Sequence, residues 1–253
     1  MAKTEKKIIV GNWKMNPPTV AEARRIFGGA KRAAAKIRRA EVVICPPFLY
    51  LPALAKSAKN ARNIALGVQN LFWETAGSYT GEISPAMVLN DGAQYAIIGH
   101  SERRILGETD SQVAKKAVLA LKLGLRAIVC VGESVRDEKG EYLGFLKNQI
   151  RNSLQGVTGK LLENLIIAYE PVWAIGGREA MKPEQVEETG IFIRKILADI
   201  YEQESVMKMP ILYGGSVDAK NAEAIVYQGN VQGLLIGRQS LEPESFKAIL
   251  NVM

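Results

Sequence analysis

Glu170 ends an apolar run, Leu165–Tyr169, and is followed by Pro171, Trp173 and a glycine pair, Gly176 and Gly177. The proline biases Glu170 towards extended backbone and away from helix. The glycines accept backbone angles that other residues avoid. The segment therefore reads as a base at a strand tip beside a lid built from Pro171, Val172, Trp173, Ala174, Ile175 and Gly177. His100 is the only histidine of the chain and lies in YAIIGHSERR, after another apolar run and at the entry to a helical turn. A helix N-terminus disfavours positive charge, so this imidazole should stay neutral and could donate a hydrogen bond to a carbonyl oxygen. Lys14 follows a third run in Asn12-Trp13-Lys14, a costly place for a charge without a task. A carboxylate base, a neutral electrophile and a fixed cation suit removal of a proton next to a carbonyl. The product would be an enediolate whose charge His100 and Lys14 stabilise.

Taken singly, each residue also fits a structural role: an exposed Glu at a turn, a satisfied core histidine, a surface lysine. Their common position argues for chemistry. Eight short apolar runs recur, at Ile8–Val10, Val42–Cys45, Ile64–Val68, Tyr95–Ile98, Ala127–Val131, Leu165–Tyr169, Ile211–Tyr213 and Leu234–Ile236. They are rich in Ile and Val and do not alternate strictly, as strands buried on both faces do not. Segments of helical character separate most of them, among them Val20–Ala40, Ser111–Leu123, Gly144–Gln155 and Pro183–Glu202. Strand–helix alternation implies a parallel sheet, and eight strands suggest closure into one α/β domain, a (β/α)8 barrel over residues 1–253. Such barrels keep their chemistry after the carboxyl ends of the strands. There this chain places Asn12, Lys14, His100, Glu102, Glu170, Ser216 and Gly237. The Gly-rich turns after runs seven and eight offer backbone N–H groups to a phosphate.

Bulk properties narrow the classes. The net charge is +7, but residues 1–40 hold eleven basic residues against two acidic ones, so the excess is an N-terminal feature. Most of it lies in Arg24–Arg39, read as a solvated helix face without the interleaved aromatics of a single-strand surface. No nucleic-acid partner is expected. No apolar stretch approaches the ~18 residues of a membrane span, and Ile8–Val10 is too short for a signal-peptide core. Cys45 and Cys130 have no metal-type spacing and read as reduced thiols of a cytoplasmic protein. There is no GxxxxGK[ST] loop, no GxGxxG fingerprint and no metal-ligand cluster, so no cofactor or metal is expected.

Six segments, in order along the chain, carry a resemblance: GNWKMN (Gly11–Asn16), GVQNLFWETAGSYTGEIS (Gly67–Ser84), YAIIGHSERR (Tyr95–Arg104), CVGE (Cys130–Glu133), AYEPVWAIG (Ala168–Gly176) and YGGSV (Tyr213–Val217). With them the chain resembles the triosephosphate isomerase family. The resemblance implies a TIM barrel that interconverts dihydroxyacetone phosphate and D-glyceraldehyde 3-phosphate. It implies Glu170 as base, His100 on the carbonyl, Lys14 on the negative intermediate, and Asn12, Gly176, Ser216 and Gly237 at the substrate. It also implies Glu102 as a partner near Lys14, and a homodimer in which the loop Gln69–Glu82, with Thr80 near its tip, enters the neighbouring subunit's site. Two departures fall at the phosphate end. The family's lid usually continues AIG-T-G-K, whereas this chain reads Ala174-Ile175-Gly176-Gly177-Arg178-Glu179. After the eighth strand the family usually has two glycines, whereas Gly237 is followed here by Arg238. The Arg238 guanidinium could contact phosphate, point to solvent or crowd the pocket. These departures leave open a barrel that binds a phosphorylated ligand with weak or no turnover, or an isomerase that loses its intermediate to phosphate elimination.

Overall fold

The computed structural model describes residues 6–174 and 180–253. Eight parallel strands close in sequence order into a barrel. They are β1 (Lys7–Asn12), β2 (Ala40–Cys45), β3 (Ile64–Val68), β4 (Tyr95–Ile98), β5 (Arg126–Val131), β6 (Leu165–Tyr169), β7 (Ile211–Tyr213) and β8 (Gly233–Ile236). The expected fold is therefore the observed one. Around the barrel run α1 (Val20–Ala34), α2 (Leu51–Ala58), α3 (Pro85–Asn90), α4 (Ser101–Ile105), α5 (Asp110–Lys122), α6 (Glu141–Ser153), α7 (Pro183–Ala198), α8 (Gln203–Lys208), α9 (Ala222–Tyr227) and α10 (Pro243–Asn251).

The strands lack an alternating pattern because both of their faces are buried. Ile8, Val10, Val43, Ile97, Ile128, Ile166 and Leu212 form one cluster inside the barrel. Their strand neighbours Ile9, Val42, Ile44, Ile98, Val129 and Ile167 pack outward under the helices. Closure needs β8 against β1, with Ile8 opposite Gly233. A Cβ on Gly233 would lie 1.9 Å from the Ile8 carbonyl oxygen, so only glycine allows that approach.

Two helices are shorter than their apolar pattern suggests. The first stops at Ala34 rather than Ala40, because Ala40 is already the first residue of β2, paired with Lys7. The intervening turn bonds Ile37 N–H back to Ala34 O, which buries Ile37 and leaves Arg38 and Arg39 in solvent. Similarly, α7 ends at Ala198, and Tyr201 N–H turns back to Leu197 O. The N-terminal ends are tied by side chains: Thr19 accepts from Glu22 N–H, and Thr109 with Gln112 forms a reciprocal capping box on α5. No helix among the described residues is long and apolar enough to cross a membrane.

Candidate active site

The tips of β1, β4, β6, β7 and β8 surround one cavity of about 430 Å³ at the carboxyl end of the barrel. Asn12, Lys14, His100, Glu102, Glu170, Ser216, Gly237 and Arg238 all line it. The fold thus brings together sequence-distant residues that were singled out by type and place.

Glu170 continues β6 by one residue, its N–H donating to Val131 O at 2.8 Å. It is 2% exposed. Two glycines make room for it. A Cβ on Gly132 would stand 1.8 Å from Glu170 O, and one on Gly214 would stand 2.9 Å from Glu170 Cγ. One carboxylate oxygen, Oε2, accepts from Ser101 N–H at 3.0 Å, and Oε1 lies 3.1 Å from His100 Nε2. Burial pushes the Glu170 carboxyl up, but the His100 ring and the Ser101 N–H outweigh it and hold it below the ordinary range.

His100 caps α4, where its Nδ1 accepts the Glu102 N–H at 3.2 Å. That bond occupies the Nδ1 lone pair, so the proton of the neutral ring sits on Nε2, facing Glu170. Burial pushes the imidazole towards neutrality, while the adjacent Glu170 carboxylate pulls its pKa above the ordinary value. A ligand that draws the carboxylate away would leave burial and the nearby Lys14 charge, which favour the neutral ring, against the smaller opposing pull of Glu102.

Lys14 adopts a left-handed backbone, φ 53°. Two bonds hold it there: its N–H donates to Asn12 Oδ1 at 3.0 Å, and its carbonyl accepts from Gln69 Nε2 at 2.9 Å. Gln69 Nε2 also reaches Cys45 O at 2.9 Å, so it stitches the β1, β2 and β3 loops together. The ammonium of Lys14 pairs with Glu102 Oε1 at 2.5 Å.

The opposite wall is the Gly214-Gly215-Ser216 turn after β7 and the Gly237-Arg238 turn after β8. Gly215 lies over the Tyr213 hydroxyl, where a Cβ would come within 2.2 Å. That hydroxyl accepts from Met181 N–H at 3.3 Å, linking the turn to the chain beyond the lid. Gly237 packs against the Lys14 stem, and a Cβ there would lie 3.3 Å from Lys14 Cε. Arg238 is exposed and has no hydrogen-bond or ion-pair partner among the described residues.

Pro171 to Ala174 leave Glu170 in a short 3-10 turn anchored by Val172 N–H on Glu133 O at 2.9 Å. Buried Glu133 Oε1 accepts from both Tyr169 OH, at 2.8 Å, and Trp173 Nε1, at 2.9 Å. Ile175, Gly176 and Gly177, expected in the lid or at the phosphate, lie outside the described residues, as does Arg178. Thr80 is exposed in a loop that carries its own small core, Phe72 stacked on Trp73 and Tyr79.

Sequence reasoning missed three supporting residues. Glu133 anchors the lid base. Gln69 fixes Lys14. Gln149 on α6 accepts the Gly132 N–H at 2.7 Å and so fixes the glycine against which Glu170 rests. CVGE and GVQN contain the first two, but no local pattern marks what they touch. Among the described residues no group of three or more His, Cys, Asp or Glu could hold a metal ion.

A carboxylate, an Nε2–H and an ammonium converge on a cavity whose far wall is made of glycine turns. This arrangement can move a proton beside a carbonyl while backbone N–H groups hold an anion. The family model described as triosephosphate isomerase matches residues 7–253. A triosephosphate isomerase of Endomicrobium trichonymphae is 43% identical over 247 residues, 97% of this chain and 98% of the relative. One of Dehalococcoides mccartyi is 44% identical over 244 residues, 96% and 95% of the two chains. A crystal structure of triosephosphate isomerase from Bartonella henselae superposes with a TM-score of 0.84 at 36% identity, covering 98% of each chain.

Proposed function

Since the chain belongs to the triosephosphate isomerase family, we propose a role for each residue at the barrel mouth in the reaction of that family. The enzyme interconverts dihydroxyacetone phosphate and D-glyceraldehyde 3-phosphate. Glu170 takes the proton from one carbon of the substrate and returns it to the next. His100 donates its Nε2–H to the carbonyl oxygen, and Lys14 offsets the charge of the enediolate. This division of labour, with a neutral histidine electrophile, is the one known for the family. Asn12 orients the substrate beside Lys14. Backbone N–H groups of Gly214–Ser216 and Gly237–Arg238, with Gly176, hold the phosphate. Pro171–Gly177 acts as the lid that excludes water.

One observation carries the reading: Glu170 and His100, 70 residues apart, meet at 3.1 Å over the only tautomer that lets the ring donate into the cavity. The resting contact also defines what substrate binding must do. The carboxylate has to leave Ser101 N–H and the ring for the substrate carbon, and both donors then become free.

The reading further makes the enzyme a homodimer. Met15, 96% exposed, stands beside Lys14 on the catalytic loop, and Tyr79 and Met87 are exposed near the Gln69–Glu82 loop. A second copy would cover such apolar surface and place Thr80 against its neighbour's site. Two buried free thiols, Cys45 and Cys130, support a cytoplasmic setting.

The direct test is steady-state isomerisation of glyceraldehyde 3-phosphate, coupled to reduction of dihydroxyacetone phosphate. A kcat/KM of about 10⁷ M⁻¹ s⁻¹ or above is expected for an efficient enzyme of this kind. A folded protein without turnover would leave only phosphate binding.

A further inference from the structure

We infer that the Arg238 side chain is the phosphate-charge determinant of this site: its guanidinium, rather than the backbone turn alone, binds the dianionic end of the substrate. The inference rests on the triose-phosphate reading and deepens it. Charge balance around the cavity is its first support. Among the described residues lining the cavity, the acids are Glu102 and Glu170 and the fixed cations are Lys14 and Arg238. Lys14 is committed to Glu102 at 2.5 Å. Without Arg238 the lining would carry a net negative charge, and a phosphate dianion would enter against it.

Placement is the second support. Arg238 follows Gly237, which packs on the Lys14 stem, so the two cations flank one floor of the cavity. Both carboxylates on the wall are engaged, Glu102 with Lys14, and Glu170 with His100 and Ser101. Among the described residues Arg238 therefore has no unengaged acid lining the cavity to pair with. A guanidinium presents two parallel N–H donors that match a phosphate edge, which a lysine at this position could not reproduce. The interaction does not depend on the reacting carbons, so it should contribute to binding substrate and transition state alike.

The experiment uses inorganic phosphate as the probe and the intact protein. Its dissociation constant is measured by calorimetry at fixed ionic strength for wild type, Arg238→Gly, Arg238→Gln and Arg238→Lys, alongside kcat and KM for glyceraldehyde 3-phosphate. Losing a charge-assisted pair should weaken phosphate about tenfold in the Gly and Gln variants. The Lys variant should fall between them and wild type. KM should rise by a similar factor and account for most of the loss in kcat/KM. Phosphate affinity within twofold of wild type in both the Gly and Gln variants would overturn the inference. Because phosphate binding is read without turnover, the two claims separate. An inactive protein with Arg238-dependent phosphate binding would remove the isomerase reading and keep this one. An active enzyme indifferent to Arg238 would do the reverse.

Discussion

His100 Nε2 lies 3.1 Å from Glu170 Oε1, while the other ring nitrogen is held by the Glu102 N–H. Base and electrophile of the reaction thus rest on each other before substrate arrives, and each shifts the other's protonation. Burial alone would raise the Glu170 pKa, and the His100 ring reverses that.

A pH shift follows from this pairing. Glu170 is held below its ordinary pKa, so its stabilising share is present above that value and is lost as pH falls through the folded pKa. His100 is held above about 6.5, so its share is full below that value and is lost as pH rises through its folded pKa. In His100→Asn the pull on Glu170 disappears and burial remains. The acid limb of residual kcat/KM should move to higher pH, and acid unfolding should begin at higher pH. A pH–rate profile with its acid limb unmoved would contradict the coupling.

Gln149 is a positioning residue acting through Gly132. Gln149→Leu leaves a buried N–H unpaired, which costs about 1–3 kcal/mol of stability. It also lets the Gly132 turn shift under Glu170, so kcat should fall roughly tenfold to a hundredfold while KM changes little. Gln149→Glu still offers an oxygen that can accept the Gly132 N–H and should recover most of kcat. A Leu variant that melts earlier but turns over normally would show a purely structural role.

The dimer proposal makes its own prediction. Wild type should scatter light as a dimer, and Thr80→Arg, which puts a long charged side chain into the expected contact, should shift it to monomer with at least about tenfold lower kcat. The expected size of that loss reflects the sensitivity of catalysis to a displaced Lys14 loop. A wild-type monomer with full activity would contradict the proposal.

The barrel was legible because its strands are buried on both faces. Such strands write themselves as unbroken Ile/Val runs, and four of the eight, Ile64–Val68, Tyr95–Ile98, Leu165–Tyr169 and Ile211–Tyr213, have the bounds that their runs suggest. Catalytic candidates were legible because polar residues at strand ends are costly without a task. Helix ends were not, because the helical pattern through Ile37 continues past the point where β2 pairing takes over at Ala40. The supporting residues were invisible for a different reason. Gln149 meets Gly132 across 17 residues, Glu133 meets Trp173 across 40 and Gln69 meets Lys14 across 55, contacts set by barrel closure and not by local pattern.

The central claim is that Glu170 is the base. It is tested most directly by steady-state turnover of glyceraldehyde 3-phosphate by wild type and Glu170→Gln side by side, with thermal melts of both. The amide keeps the shape of the carboxylate but cannot take a proton. The account predicts a native-like melt and a kcat at least about a thousandfold below wild type. A folded Glu170→Gln variant that retains wild-type turnover would contradict it.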